Sequence, residues 1–470
     1  MKLIRLLLGL VFCLALSHVT APAARAGEEP GQELIDMVVT LLKDADKEMR
    51  ALGFAQVRTS AKGPAATQQF ADELLKLPSG TQVGLLSALA DRGDPVARPA
   101  VLNLMSATSD EPARLAAIAA LGFLGEPADV GTLLQLLQTG SPPVRAAAQT
   151  SLVRLPGESV AGLLAAELDR APPALCVTLL EVLAARRAFD TIPQMLQAAL
   201  ANDASVRTAA MTTLGQLAGP DHVLGLLRGV LRAEPGRERE AAEKAVMSVC
   251  SRIPQAEQRA APVLAALEPF SATDRAALLP TVGRIGGSAA LQAIEAAIAD
   301  ADPASHDAGI RALCNWPDAS AAPQLAALAQ QDEHAEHRAR ALRALIRVAA
   351  LPDGRTDLER LETLRAAMTA CTQDSDRLLV LQRAAAIRVP ETLQFLVPYL
   401  DQPAYRQQAC QSVVELAHHR DLRESNKAAF DQALDKVIQV SKDATVIERA
   451  NRYKRNQTWV RPREPARADR

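Results

Sequence analysis

The stretch "DEPARLAAIAALGFLG" (residues 110–125) is written again at 141–157 as "SPPVRAAAQTSLVRLPG" and at 203–219 as "DASVRTAAMTTLGQLAG". A short unit that restarts at a nearly fixed interval marks a repeat architecture, and it outranks any single motif in deciding the fold. With Arg114 as position zero, the pattern restarts at Arg50, Gln82, Arg114, Arg145, Cys176, Arg207, Arg239, Arg275, His306, Arg338, Arg377 and Arg406, mostly 31 or 32 residues apart. Position plus seven is apolar at every start, from Val57, Leu89 and Leu121 through to Ala384 and Val413. Position plus three is small or apolar, as at Gly53, Ala117, Ala148, Ala210, Ala242, Gly309 and Ala409. Spacings of three, four and seven lie on one helical stripe, and small residues on it allow a neighbouring helix to come close.

Each start is followed by a turn rich in Gly, Pro, Asp or Ser and then by a second amphipathic segment, such as "DVGTLLQLLQ" (129–138), "TIPQMLQAAL" (191–200), "HVLGLLRGVL" (222–231) or "ETLQFLVPYL" (391–400). A repeat is therefore a helical hairpin that cannot bury its apolar faces alone and must stack on its neighbours. Asp110, Ser141 and Asp203 stand four residues before Arg114, Arg145 and Arg207, where a short oxygen-bearing side chain caps a helix. The same Asp is also placed to pair with the Arg of a stacked neighbour.

The pattern D-x-x-V-R-x-x-A-x-x-x-L-G, as at 203–215, resembles the HEAT-like repeats of the phycobilisome-lyase type, over about residues 31–440. That resemblance implies an all-α, right-handed α-solenoid of about twelve hairpins, with the second helices lining its concave side. The departures are the 36-residue interval after Arg239, the 39-residue interval after Arg338, and Cys176 and His306 in place of the recurrent arginine. The extra residues at "LPDGRTDLERLE" (351–362) are expected to lengthen a turn or a second helix.

Lys2 and Arg5 precede an apolar run, Leu6 to Leu16, and then "APAARAG" with Ala24 and Ala26 in A-x-A register. This reads as a signal peptide over 1–26, cut after Ala26, and predicts a periplasmic or secreted protein. Phe12 before Cys13 is too large for a lipidation signal. No later stretch is apolar and uncharged over the roughly 20 residues of a membrane helix, so an integral membrane protein is not expected.

Residues 27–440 form the repeat region, and 441–470 a capping helix followed by a basic tail. The signal carries +3 and the tail +5, which leaves −10 for residues 27–440 out of the overall −2. An acidic body argues against nucleic acid, while the tail offers a contact for an anionic surface. Beyond Cys13 there are five cysteines, Cys176, Cys250, Cys314, Cys371 and Cys410, an odd and widely spaced set that forms no disulfide framework. They are expected as small buried hydrophobes.

The chain carries no phosphate loop, H-E-x-x-H, haem-attachment motif or nucleophile elbow. No catalytic residue and no cofactor is expected. In "HAEH", His334 and His337 stand at helical spacing, and His306 lies one repeat upstream at nearly the same phase, so the three can approach and offer nitrogen to zinc or copper. Read as polar turn residues, they are simply solvated. Along the second helices Gln135, Gln138, Gln194, Gln197, Arg228 and Gln394 form a mild polar lining that suits a protein or peptide partner. The expected function is a non-catalytic protein-binding scaffold or adaptor of the cell envelope. The alternatives are a chromophore-lyase-like or accessory enzyme subunit, suggested by the resemblance, and a polyanion- or metal-binding envelope protein.

Overall fold

The computed structural model describes residues 31–459. The expected signal peptide with Cys13, and residues 460–470 of the basic tail, lie outside the described residues. Among the described residues there are 27 α-helices, eight short 3-10 segments and no strand. Each of the twelve starts falls within a first helix, and each is followed by a second helix. The chain divides after Glu167 into two units. The first unit opens with the helix Gln32–Leu42 and holds four hairpins, from Lys47–Thr59 with Pro64–Ala71 to Pro142–Arg154 with Ser159–Glu167. The second runs from Pro173–Ala185 through eight hairpins, and the helix Ala444–Lys454 follows its last hairpin.

The stripe read from the sequence is the core. At plus three, Leu85, Ala117, Ala148, Leu179, Ala210, Leu278 and Ala409 are fully buried, as are Val57, Leu89, Leu121, Leu152, Leu183, Leu214 and Val282 at plus seven. Burying a Leu or Val contributes roughly 1.5–3 kcal/mol relative to leaving it exposed, so repetition rather than any one hairpin accumulates the stability.

The glycine that closes the motif, at plus eight, marks the crossing between successive first helices. A Cβ added to Gly122 would lie 2.9 Å from the Cα of Ser151, and one on Gly215 would lie 3.1 Å from the Cα of Ala245. On Gly283 it would lie 2.1 Å from the carbonyl oxygen of Ala312. All three partners stand at plus six of the next repeat. At three of the four repeats where plus six is a hydroxyl, it ties the crossing by donating to the carbonyl at plus four of the preceding repeat: Ser151 to Ile118 at 2.7 Å, Thr213 to Leu180 at 3.3 Å, Ser412 to Leu381 at 2.9 Å, whereas the fourth, Thr281, is buried with its hydroxyl unbonded. Ser151→Ala is expected to cost about 1 kcal/mol, the net worth of one buried hydrogen bond, read as a shift in the denaturation midpoint.

The recurrent arginine has a different task from the Asp–Arg pairing expected above. Arg50 donates to the carbonyls of Asp44 and Ala45, Arg207 to those of Ala201 and Asn202, and Arg338 to those of Asp332 and Glu333. Each guanidinium thus reaches back five and six residues and satisfies carbonyls at the turn before its own helix, groups the preceding helix end leaves without partners. The aspartates act as caps: Asp110 accepts from the Ala113 N–H and Asp203 from those of Ser205 and Val206, whereas the Ser141 hydroxyl makes no capping bond. Where ion pairs do join repeats, they use other acids, as in Arg98 with Asp129, Arg207 with Glu238 and Arg343 with Asp376.

Cys176 keeps the arginine's task in reduced form, its thiol facing the carbonyls of Leu168 and Ala171, both at 3.3 Å. The 351–362 insertion lengthens a second helix, Asp357–Ala370, started by a reciprocal cap between Thr356 and Glu359. After Arg239 the second helix is short, Ala261–Ala266, and the next first helix carries Pro280 in its interior. Cys176, Cys250, Cys371 and Cys410 are buried and Cys314 half-buried, all unpaired. Burial pushes the Cys314 thiol up to about 12 and those of Cys250, Cys371 and Cys410 to about 11, far from the range of a reactive thiolate.

Candidate functional site

His306, His334 and His337 come together. The ring centroids of His306 and His337 are 5.6 Å apart, those of His334 and His337 4.9 Å, and those of His306 and His334 6.5 Å. His306 sits in the first turn of Pro303–Cys314, which Asp302 caps through the Ser305 N–H. His334 is the residue before Ala335–Ala349, and His337 lies in that helix's first turn. Between them stands Asp332, which ends the second helix Ala322–Gln331 and whose side chain is only 5% exposed. Its Oδ1 lies 3.2 Å from His337 Nδ1 and 3.5 Å from His334 Nδ1, and its Oδ2 lies 3.6 Å from His306 Nε2. One donor atom from each of the four residues fits within 4.8 Å of the others.

Asp332 was missed in the reading of the sequence. Its signal was the "D-x-H-x-x-H" spacing at the turn between helices, since a residue two before His334 folds back onto the first turn. Burial alone would raise the Asp332 carboxyl, but the His334 N–H bonded to it at 2.8 Å and the neighbouring His337 and His306 rings outweigh burial and hold it below the usual carboxylate range. The buried group in the middle is therefore a carboxylate.

The rings are held from outside as well. His306 Nδ1 donates to the Ile298 carbonyl at 2.5 Å, which leaves Nε2 facing Asp332. This is the arginine position of the repeat, and the imidazole reaches back to the preceding helix as the guanidiniums do. His337 Nε2 faces Asp307 Oδ1 at 3.4 Å, and Asp307 in turn receives Arg340 Nη1 at 3.2 Å.

The six polar residues expected on the second helices are all exposed: Gln135 and Gln138 on Val130–Thr139, Gln194 and Gln197 on Ile192–Ala198, Arg228 on Val223–Arg232 and Gln394 on Pro390–Leu396. In the second unit, however, large cavities open over the first helices. One, of ≈ 770 Å³, is lined by Ala184, Thr208, Ala209, Thr212 and Gln216, with Arg237 and Glu238 at its edge. Another, of ≈ 970 Å³, gathers Arg383, Arg388, Glu415, His419 and Arg449 beside Trp459. Arg449 lies 4.8 Å from the centre of the Trp459 ring, and Tyr453, buried in the helix Ala444–Lys454, meets His418 through its hydroxyl at 2.9 Å. Exposed aromatics occur in both units, Phe123 beneath Arg154 and Phe189 beneath Arg187.

Residues 67–153 match the model of the family described as HEAT repeats. Residues 67–153 thus carry HEAT repeats, and helical hairpins of the same kind continue on both sides of that stretch. Among curated proteins none matches the sequence. Similar solved structures include Kap121p, at 14% identity and a TM-score of 0.49 over 96% of this chain and 56% of that one. Kap121p bound to Pho4p is similar at 14% identity and a TM-score of 0.46, over 94% and 57%. The chain thus spans a little over half the length of these structures.

Proposed function

We propose that this HEAT-repeat chain is a non-catalytic scaffold or adaptor that holds a protein partner in the cell envelope. The observation that carries this reading is the placement of Gln135, Gln138, Gln194, Gln197, Arg228 and Gln394, each exposed on a helix whose opposite side is buried in the repeat core. Neutral, hydrogen-bonding side chains on a rigid helix suit a protein surface, and exposed aromatic–arginine pairs such as Phe189 with Arg187 are the residue types that anchor such interfaces. The envelope setting rests on the amino-terminal sequence, and secreted material is expected to begin at Gly27 on amino-terminal sequencing.

The test is capture of the mature chain from its native envelope after mild crosslinking, alongside a variant with Gln194, Gln197 and Arg228 changed to Glu. A stoichiometric protein retained by the parent and lost by the variant supports the reading. Recovery of the parent alone, while a control complex survives, overturns it.

A further inference from the structure

We infer that His306, Asp332, His334 and His337 form a binding site for one divalent transition-metal ion, with Zn²⁺ the best match. The inference is independent of the scaffold reading. A tetrahedral zinc ion with bonds of about 2.0–2.2 Å sets its donors about 3.3–3.5 Å apart. Asp332 Oδ1 stands 3.2 and 3.5 Å from a nitrogen of His337 and His334, and its Oδ2 3.6 Å from one of His306; one donor from each of the four lies within 4.8 Å of the others, so binding would draw the set inward. Three imidazoles and one carboxylate also make a donor set that suits zinc, copper or nickel and disfavours magnesium and calcium, which take oxygen.

The outer contacts separate this cluster from a chance meeting of surface histidines. A metal-ligating histidine characteristically gives its second ring nitrogen to a carbonyl or carboxylate, which fixes the tautomer and the ring's direction. His306 does so with Ile298, and His337 Nε2 faces Asp307 Oδ1 at 3.4 Å; in both rings the remaining nitrogen is the one that faces Asp332. Arg338 fixes the backbone below the carboxylate through the Asp332 carbonyl at 2.7 Å.

The repeat supplies the contrast. Arginine at position zero only donates, so it would push a cation into this space. Histidine keeps the bond to the preceding helix and adds a lone pair on the other side, which converts a structural position into a ligand. His334 is 65% exposed, so an ion enters from solvent, while His337 at 13% and Asp332 at 5% form the floor.

The test uses the full chain prepared without a polyhistidine tag, stripped with a chelator and titrated with ZnCl₂ by calorimetry, with bound metal measured after dialysis. One equivalent of zinc is expected, together with a rise in melting temperature on adding zinc, because an ion bound only by the folded chain stabilises it. Co²⁺ in its place is expected to give the visible absorption of a four-coordinate site. His306→Gln and His337→Gln should each weaken binding by at least about 100-fold, and Asp307→Asn, which removes only an outer contact, by about 10- to 100-fold. His334→Gln alters an exposed ring and serves where the others fail to fold; it should weaken binding by about 10-fold or more, comparable to an outer-contact loss at the least. His418→Gln/His419→Gln should leave the affinity unchanged. Absence of saturable binding at one equivalent, parental affinity in His334→Gln, or loss only in the His418/His419 variant overturns the proposal.

Discussion

Gly283→Ala is expected to destabilise the protein by about 2–3 kcal/mol, while Gly162→Ala stabilises it by about 0.5–1 kcal/mol. Both glycines lie inside helices, Ala272–Ile285 and Ser159–Glu167, so both substitutions gain the same helix propensity. Only their surroundings differ. A Cβ at 162 meets nothing within 4 Å, whereas one at 283 would sit 2.1 Å from the Ala312 carbonyl oxygen and 3.0 Å from its Cα. Backbone cannot swing aside as a side-chain tip can, so the helix Pro303–Cys314 must back away from its neighbour. That displacement opens packing around Leu278, Val282 and Leu313, which are now closed to solvent. Chemical denaturation of the full chain reads both effects. A stabilising Gly283→Ala would mean that the crossing is looser than described and that the plus-eight glycine has no steric role there.

The hairpin lattice was legible because it is written in residue size and period alone. Every start fell in a first helix, and the plus-three and plus-seven positions were buried wherever they were read, since a stripe of small and branched residues has one way to be covered in a stack. The histidine cluster was half legible: phase brought His306 near His334 and His337, but Asp332 owes its place to the fold of one turn, which period does not encode. The recurrent arginine was visible and its task was not. Sequence spacing suggested the capping Asp of a stacked repeat as partner, while the shared acceptors are backbone carbonyls five and six residues back, which exist only once the preceding helix ends where it does, and Arg207 adds an acid one repeat on, Glu238, that is not the capping residue. The cavities over the first helices were likewise hidden, because runs such as Ala184, Ala185, Ala204 and Ala209 read equally as close packing or as groove floor.

Arg207→Met is expected to cost about 3–5 kcal/mol, the range for removing one partner of a buried ion pair. The Arg207 side chain is only 2% exposed, and its Nε and Nη2 hold Glu238 at 2.6 and 3.0 Å while Nη1 donates to two carbonyls. Methionine fills much of the volume but leaves Glu238, 12% exposed, without its counter-charge. Two further measurements apportion the loss. If the orphaned carboxylate dominates, Arg207→Met/Glu238→Gln will be more stable than Arg207→Met alone, because replacing both charges avoids the unpaired one. If the carbonyls dominate, the double variant will be no better.

Acid supplies the second readout. The hydrogen bond from Arg207 holds the Glu238 carboxyl below its usual value, against a smaller opposing effect of burial. A depressed carboxylate stabilises the fold fully above its unfolded value, near pH 4.5, and loses that contribution as the pH falls through the lower folded value. The gap between parent and Arg207→Met should therefore be widest at neutral pH and narrow below about pH 4. A gap that stays constant down to pH 3 would assign the whole effect to the carbonyl caps, and with it the arginine's recurrence at position zero to backbone satisfaction rather than charge.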